Sequence, residues 1–211
     1  PWRATGRWHR DNVWLLTAIS DQKSADAMLP SLLQCRDLWP VLGVSAEPLL
    51  DAVDLSCVTR SDGWIIDALR GHWTTEAEIG VDSFEMGQME QGPSLDWVVV
   101  GGESGPKARP CDVSWIRSLV GQCRDADVPC FVKQLGSRCV IKHAGRSAMV
   151  PPGAYRPHGY SIKTTAGTLA FHAGWLFHGK DRKGGDPSEW PEDLRVREFP
   201  QPVEAKAEVT E

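Results

Sequence analysis

The chain lacks several features that would settle its class at once. No apolar run among its 211 residues approaches the ~20 needed for a membrane-spanning helix, so no such helix and no membrane partner is expected. It opens PWRATGRWHR, polar and basic with no hydrophobic stretch behind it, which does not read as a secretory signal. It also opens without an initiator Met, and the expectation is that the natural N-terminus is missing. None of the six cysteines (Cys35, Cys57, Cys111, Cys123, Cys130, Cys139) forms a C-x-x-C pair, which argues against a zinc ribbon or a thioredoxin-type site. They read as free, buried thiols in a reducing compartment, the cytoplasm. Neither a P-loop nor a dinucleotide fingerprint is present, since GGESG is followed by no Gly-Lys-Ser/Thr and lacks the G-x-G-x-x-G spacing. A net charge of −5 argues against a broadly basic nucleic-acid surface and leaves room only for a local basic groove. Internal repeats and heptads are absent.

What is present is a chain that can build a core, with 41% hydrophobic and 24% charged residues and ten tryptophans. Four segments share one grammar. NVWLLTAIS is apolar and precedes DQKSADAMLPSLLQCRDL, where Ala27, Met28, Leu32 and Leu33 recur at helical spacing. PVLGVSAEPLL is a second apolar run. LDWVVVGGESG is the third, followed by CDVSWIRSLVGQCRDADV with an apolar stripe of Val113, Ile116, Leu119, Val120 and Cys123 and a cap at Asp112 or Ser114. VPCFVKQLG is the fourth. Continuous apolar runs mark strands covered on both faces, and their alternation with helices marks βαβ units. The fold expected is therefore α/β, with parallel neighbouring strands at 12–19, 41–46, 96–100 and 129–133 and helices at about 24–34 and 113–125.

Loops at the carboxyl ends of such strands carry the functional groups of α/β sheets and barrels. The residues that fall there are Ser20 and Asp21; Ser45 and Glu47; Glu103, Ser104, Lys107 and Arg109; and Lys133 and Gln134. Carboxylates and cations converging on one rim suit a polar ligand, and Lys107 and Arg109 suit an anion. Glu103, one residue past a Gly-Gly turn, is expected to bind ligand rather than to brace the scaffold. The histidines His143, His158, His172 and His178 match no metal-ligand spacing, and no metal site is expected.

The remaining segments are less regular. Residues 51–94 read as a long insertion, with a short helix in DGWIIDALRGHW and a solvated excursion in EIGVDSFEMGQMEQGPS. The domain division expected is 1–140 for the βα part, 141–200 for an irregular β-containing appendage, and 201–211 for a disordered tail. Within the appendage YSIKTTAGTLAFH reads as a hairpin turning at AG, and Pro191 as the first residue of a short helix.

NVWL…SDQ, SAEPLL, LDWVVVGGESGPKARP, FVKQLG and WPEDLRVREFP occur in that order. Through these motifs the chain resembles a phage-protein family of unknown function that looks like radical-SAM enzymes. The resemblance covers most of residues 11–136 and returns at 184–200. It implies the C-terminal part of a partial (β/α) barrel, radical-SAM- or TIM-like. The family's three-cysteine motif for an iron–sulfur cluster has no counterpart here, and where the family has Ser-x-Glu after its first strand this chain has Ala18 and Ser20. The rim positions that carry over are Glu47, Glu103, Lys133 and Gln134.

The function so implied is that of an enzyme fragment. The intact protein is expected to use S-adenosylmethionine and a 4Fe-4S cluster on an unknown substrate, a nucleotide or nucleic acid. The fragment is expected to bind no cluster, to be inactive alone, and to depend on a missing N-terminal half or a partner polypeptide. The alternative is a non-catalytic binding or assembly module of phage origin, decayed from such an enzyme and holding a small molecule or nucleotide.

Overall fold

In the computed structural model, residues 12–75, 90–141, 155–164, 167–177 and 180–201 are described. In chain order they form strand β1 (Leu15–Ile19), helix α1 (Gln22–Leu33), β2 (Leu42–Ala46), β3 (Val58–Thr59), β4 (Trp64–Asp67), β5 (His72–Thr75), β6 (Glu90–Gln91), β7 (Trp97–Gly101), β8 (Cys111–Asp112), helix α2 (Val113–Asp125), β9 (Cys130–Gln134), β10 (Cys139–Ile141), β11 (Tyr155–Thr164) and β12 (Gly167–Phe177). Short 3-10 turns stand at Arg36–Leu38, Pro187–Glu189 and Glu192–Leu194, the last opened by Pro191.

The four apolar runs become one parallel sheet, ordered β1-β2-β7-β9. Every adjacent pair is parallel, with Val44 beside Val98 and Val98 beside Cys130. Spatial order follows chain order, so right-handed crossovers place both helices on the same face. Burial agrees. Ile19, Leu42, Val44, Ala46, Val98, Val100, Cys130 and Val132 point one way and join the core with the helices. The alternate residues (Leu16, Ala18, Gly43, Ser45, Trp97, Val99, Phe131, Lys133) point the other way, where no described helix or strand covers them. The sheet observed is open.

α1 begins on a capping box: Ser24 N–H donates to Asp21 Oδ1 at 2.8 Å, and Asp21 N–H to Ser24 Oγ at 3.0 Å. Its buried face is Ala25, Leu29, Leu32 and Leu33, whereas Ala27 and Met28 of the expected stripe are exposed. The helix starts two residues before the expected 24, and the run AML spans its edge. α2 buries all five residues of its stripe and is capped by Asp112, which accepts from Ser114 N–H at 2.9 Å.

Between β2 and β7 the described residues form no third α-helix. Segment 53–57 takes that place, held from both sides by glutamines. Gln22 of α1 donates to the Asp54 and Cys57 carbonyls, and Gln122 of α2 donates to Val53 O at 2.9 Å and accepts from Leu55 N–H at 2.8 Å. The helix expected in DGWIIDALRGHW is two strands, β4 and β5, of an antiparallel sheet ordered β3-β4-β5-β6. Trp64, Ile65 and Ile66 suit a pleated surface. Asp67 then accepts from Leu69 and Arg70 N–H, and Gly71 at φ 71° completes the turn. Most of the expected excursion, 78–89, lies outside the described residues.

β11 and β12 pair antiparallel from Tyr155–Phe177 to Thr164–Gly167, and β12 joins β10 and β8 in a third sheet. Residues 165–166, beside the turn expected at AG, and residues 202–211 of the tail expected at 201–211 lie outside the described residues. The free edge of β9 is covered by the C-terminal segment. Val132 N–H donates to Val196 O at 2.9 Å, Glu198 N–H to Cys130 O at 2.8 Å, and Phe131 bridges Arg197 antiparallel.

Candidate functional site

The turn after β2 decides what the rim looks like. Leu49 N–H donates to Gly101 O at 2.9 Å and Leu50 N–H to Ser20 O at 2.8 Å, so SAEPLL folds back across the carboxyl ends of β1 and β7. This lays the Glu47 carboxylate over Gly101. A Cβ there would stand 2.4 Å from Glu47 Oε1, so the strand end must be glycine for the carboxylate to lie as it does. From the far side comes Lys133. Val100 pairs Val132 and Gly101 pairs Gln134, which makes Lys133 the extra residue of a β-bulge, turned toward the open face.

The three strands thus bring together Ser45, Glu47 and Lys133. Glu47 Oε2 accepts from Ser45 Oγ–H at 3.1 Å and from Lys133 Nζ at 3.2 Å. The Glu47 side chain is 14% exposed and that of Lys133 58%. Oε2 is therefore satisfied twice. Oε1 is buried and has no hydrogen-bond partner. A buried acceptor left without a donor costs about 1–3 kcal/mol. The arrangement is a carboxylate with one oxygen unspent, beside an exposed cation.

The other rim residues divide differently. Glu103 is closed on Arg109: Arg109 N–H and Nε donate to Oε2 at 2.7 and 2.8 Å, and Nη2 to Oε1 at 3.1 Å. Those bonds to the Arg109 guanidinium and backbone hold its carboxyl at about 2, well below the usual 4.5. Both oxygens of Glu103 brace the loop GGESGPKAR. Gln134 Nε2 donates to Gly102 O at 2.8 Å, a second brace on the same loop. Asp21 is spent on its helix cap. Lys107 is exposed and enters no described ion pair. Ser104 lies on a separate cavity shared with Arg138, Arg182 and Lys183, which the sequence reading did not single out. The signal available for them was a basic residue close to a glycine in both LGSR and DRKGG.

The opposite end of the open face is aromatic. Trp97 packs on Trp14, Phe131 and Phe199 at ring-centroid distances of 5.5, 6.2 and 5.3 Å, and Phe131 on Phe199 at 5.1 Å. One face therefore carries an aromatic base at the amino ends of the strands and a polar rim at their carboxyl ends.

A family model described as "Protein of unknown function (DUF5131)" matches residues 2–179. The chain belongs to that family. No curated protein and no solved structure matches it. In this family member, the described residues contain no group of three or more His, Cys, Asp and Glu side chains placed to hold a metal ion. All six cysteines are free, and Cys111, Cys123, Cys130 and Cys139 are buried. Burial and the Asp112 charge push the Cys111 thiol up to about 12, and a hydrogen bond with Cys130 together with burial pushes Cys123 up further. His143 and His178 lie outside the described residues. No described helix is long and apolar enough to cross a membrane.

Proposed function

We propose that this chain is the S-adenosylmethionine-binding part of a radical-SAM-like protein of phage origin, its open sheet being one portion of a (β/α) barrel. The observation that carries the reading is Glu47 Oε1, a buried carboxylate oxygen with no partner at the carboxyl end of a parallel sheet. S-adenosylmethionine brings the complementary groups. Its α-ammonium or a ribose hydroxyl donates to Glu47 Oε1, and its carboxylate meets the exposed Lys133 ammonium. Ser45 holds the Glu47 carboxylate in orientation. The one-way strand order supports the barrel, since each crossover adds a strand on the same side and leaves the opposite face for a lumen. An iron–sulfur cluster does not fit the described residues, and no chemical step is assigned to one.

The test is calorimetric titration of the full chain with S-adenosylmethionine. Saturable binding is expected, falling about tenfold or more in Glu47→Gln, the ~1.4 kcal/mol scale of one charge-assisted hydrogen bond. Absence of binding by the native chain, or equal binding by the variant, overturns the reading.

A second reading, a non-catalytic assembly module, is favoured by the aromatic base. Trp14 and Phe199 are 38% and 54% exposed there, and contiguous exposed aromatic surface marks partner sites. On that reading Phe199→Asp abolishes capture of the completing polypeptide while leaving S-adenosylmethionine binding unchanged.

A further inference from the structure

Three segments distant in sequence meet behind the loop GGESGP. Glycines let their backbones touch. A Cβ on Gly102 would stand 2.3 Å from Leu135 O, one on Gly136 2.9 Å from Gly102 Cα, and one on Gly184 2.8 Å from Gly136 O. Hydrogen bonds lock the stack. Ser137 N–H donates to Glu103 O at 2.8 Å, Leu135 N–H to Gly184 O at 2.8 Å, and Gly105 N–H to Ser137 Oγ at 2.9 Å; Ser137 Oγ–H in turn donates to Arg182 O at 2.7 Å. The residues next to these glycines wall a cavity of about 550 Å³, lined by Ser104, Gly105, Pro106, Ser137, Arg138, Arg182 and Lys183.

The lining holds two arginines and a lysine and no carboxylate. None of the three enters a described ion pair. The nearest acid in sequence, Asp181, is spent on backbone, accepting from Lys183 N–H at 3.1 Å and Gly185 N–H at 2.6 Å. Three like charges gathered on one rigid concavity repel one another, and the molecule has carboxylates to spare, with a net charge of −5. Arg138, Arg182 and Lys183 are exposed on that concavity, and uncompensated cations gathered on one concavity of an acidic protein mark a place for an external anion. Two guanidinium forks match the geometry of phosphate oxygens, and the Ser104 hydroxyl adds a neutral donor.

We propose that this cavity is a phosphate-binding site, Arg138, Arg182 and Lys183 holding the phosphate groups of a nucleotide or of a nucleic-acid strand. It uses none of the residues assigned to S-adenosylmethionine, so the two readings stand or fall separately.

The test uses the full chain and two probes, inorganic tripolyphosphate and a fluorescent ten-nucleotide single strand. Both bind the native chain, and the combined variant Arg138→Gln, Arg182→Gln, Lys183→Gln binds tripolyphosphate at least about tenfold more weakly, a loss set by charge-assisted bonds to phosphate. Lys23→Gln, an exposed lysine of α1, leaves binding unchanged. Arg182→Lys, which keeps the charge, retains most of it and guards against misfolding of the combined variant. For the oligonucleotide, a log–log salt slope of about −2 is that of three phosphate contacts on a single strand. Tripolyphosphate binding with no oligonucleotide binding assigns a free nucleotide. Binding of both, the strand with that slope, assigns nucleic acid. Binding of neither probe, or undiminished binding by the combined variant, overturns the proposal.

Discussion

Glu47 and Gly101 define one position together, and their coupling is measurable. Gly101→Ala puts a methyl 2.4 Å from Glu47 Oε1. The expected cost is about 1–3 kcal/mol, the usual range for overpacking. In a Glu47→Ala background the same change is expected to cost much less, so a double-mutant cycle by chemical denaturation should show a coupling above ~0.5 kcal/mol. Additive costs would mean that the carboxylate does not lie over the glycine. Glu103 gives a second residue-scale prediction. Its folded value of about 2 lies below the ordinary 4.5, so its contribution to stability is full above pH 4.5 and is lost as pH falls toward 2. The melting-temperature gap between the native chain and Glu103→Gln should be widest near neutrality and close across that window; a gap independent of pH would remove the Arg109 pair as its cause. At this scale Glu47 was legible, because SAEPLL follows an apolar run and ends it with a carboxylate. Its unsatisfied oxygen was not, since that depends on Lys133, 86 residues on, and on the bulge that turns it. The Glu103–Arg109 closure depends likewise on how the loop folds back, which residue spacing alone does not give.

Segment 53–57 shows how elements substitute for one another. Gln122 donates to Val53 O and to Ser118 Oγ and accepts from Leu55 N–H. Gln122→Leu should leave both backbone groups without that partner, cost about 1–3 kcal/mol, and raise the hydrogen-exchange rate of the Leu55 amide selectively. Unaltered exchange at Leu55 would mean that the segment is held by packing alone. The parallel strands and α2 were legible because burial on both faces forces continuous apolar runs, and because a capped helix with one apolar stripe has few alternatives. The α1 face and the β4–β5 hairpin were not. AML crosses the edge of the α1 stripe, so two of its residues suit either assignment. WIIDAL suits helix or strand over so short a run, and what decides it is the Asp67 turn and pairing with β3 and β6, which are non-local.

At the scale of the whole molecule, the parallel sheet depends on its own far end. Residues 196–198 cover the edge of β9, and an uncovered edge templates pairing with another chain. Truncation after Arg195 should therefore make the protein associate with rising concentration, visible by light scattering, while the 211-residue chain does not associate through that edge. A monodisperse truncated chain would show that the segment is dispensable as a cover.

The same arrangement sets a timetable for synthesis. The first three parallel strands and both helices can assemble in the order in which they leave the ribosome, each beside its predecessor. β9 joins them next, yet its outer amides wait for Val196 and Glu198, more than sixty residues later in the chain. During that interval the nascent chain holds a paired sheet with one unprotected side. A stalled or prematurely terminated product ending before Val196 keeps that side open permanently, and it is this species, rather than the finished protein, that quality control would have to recognise.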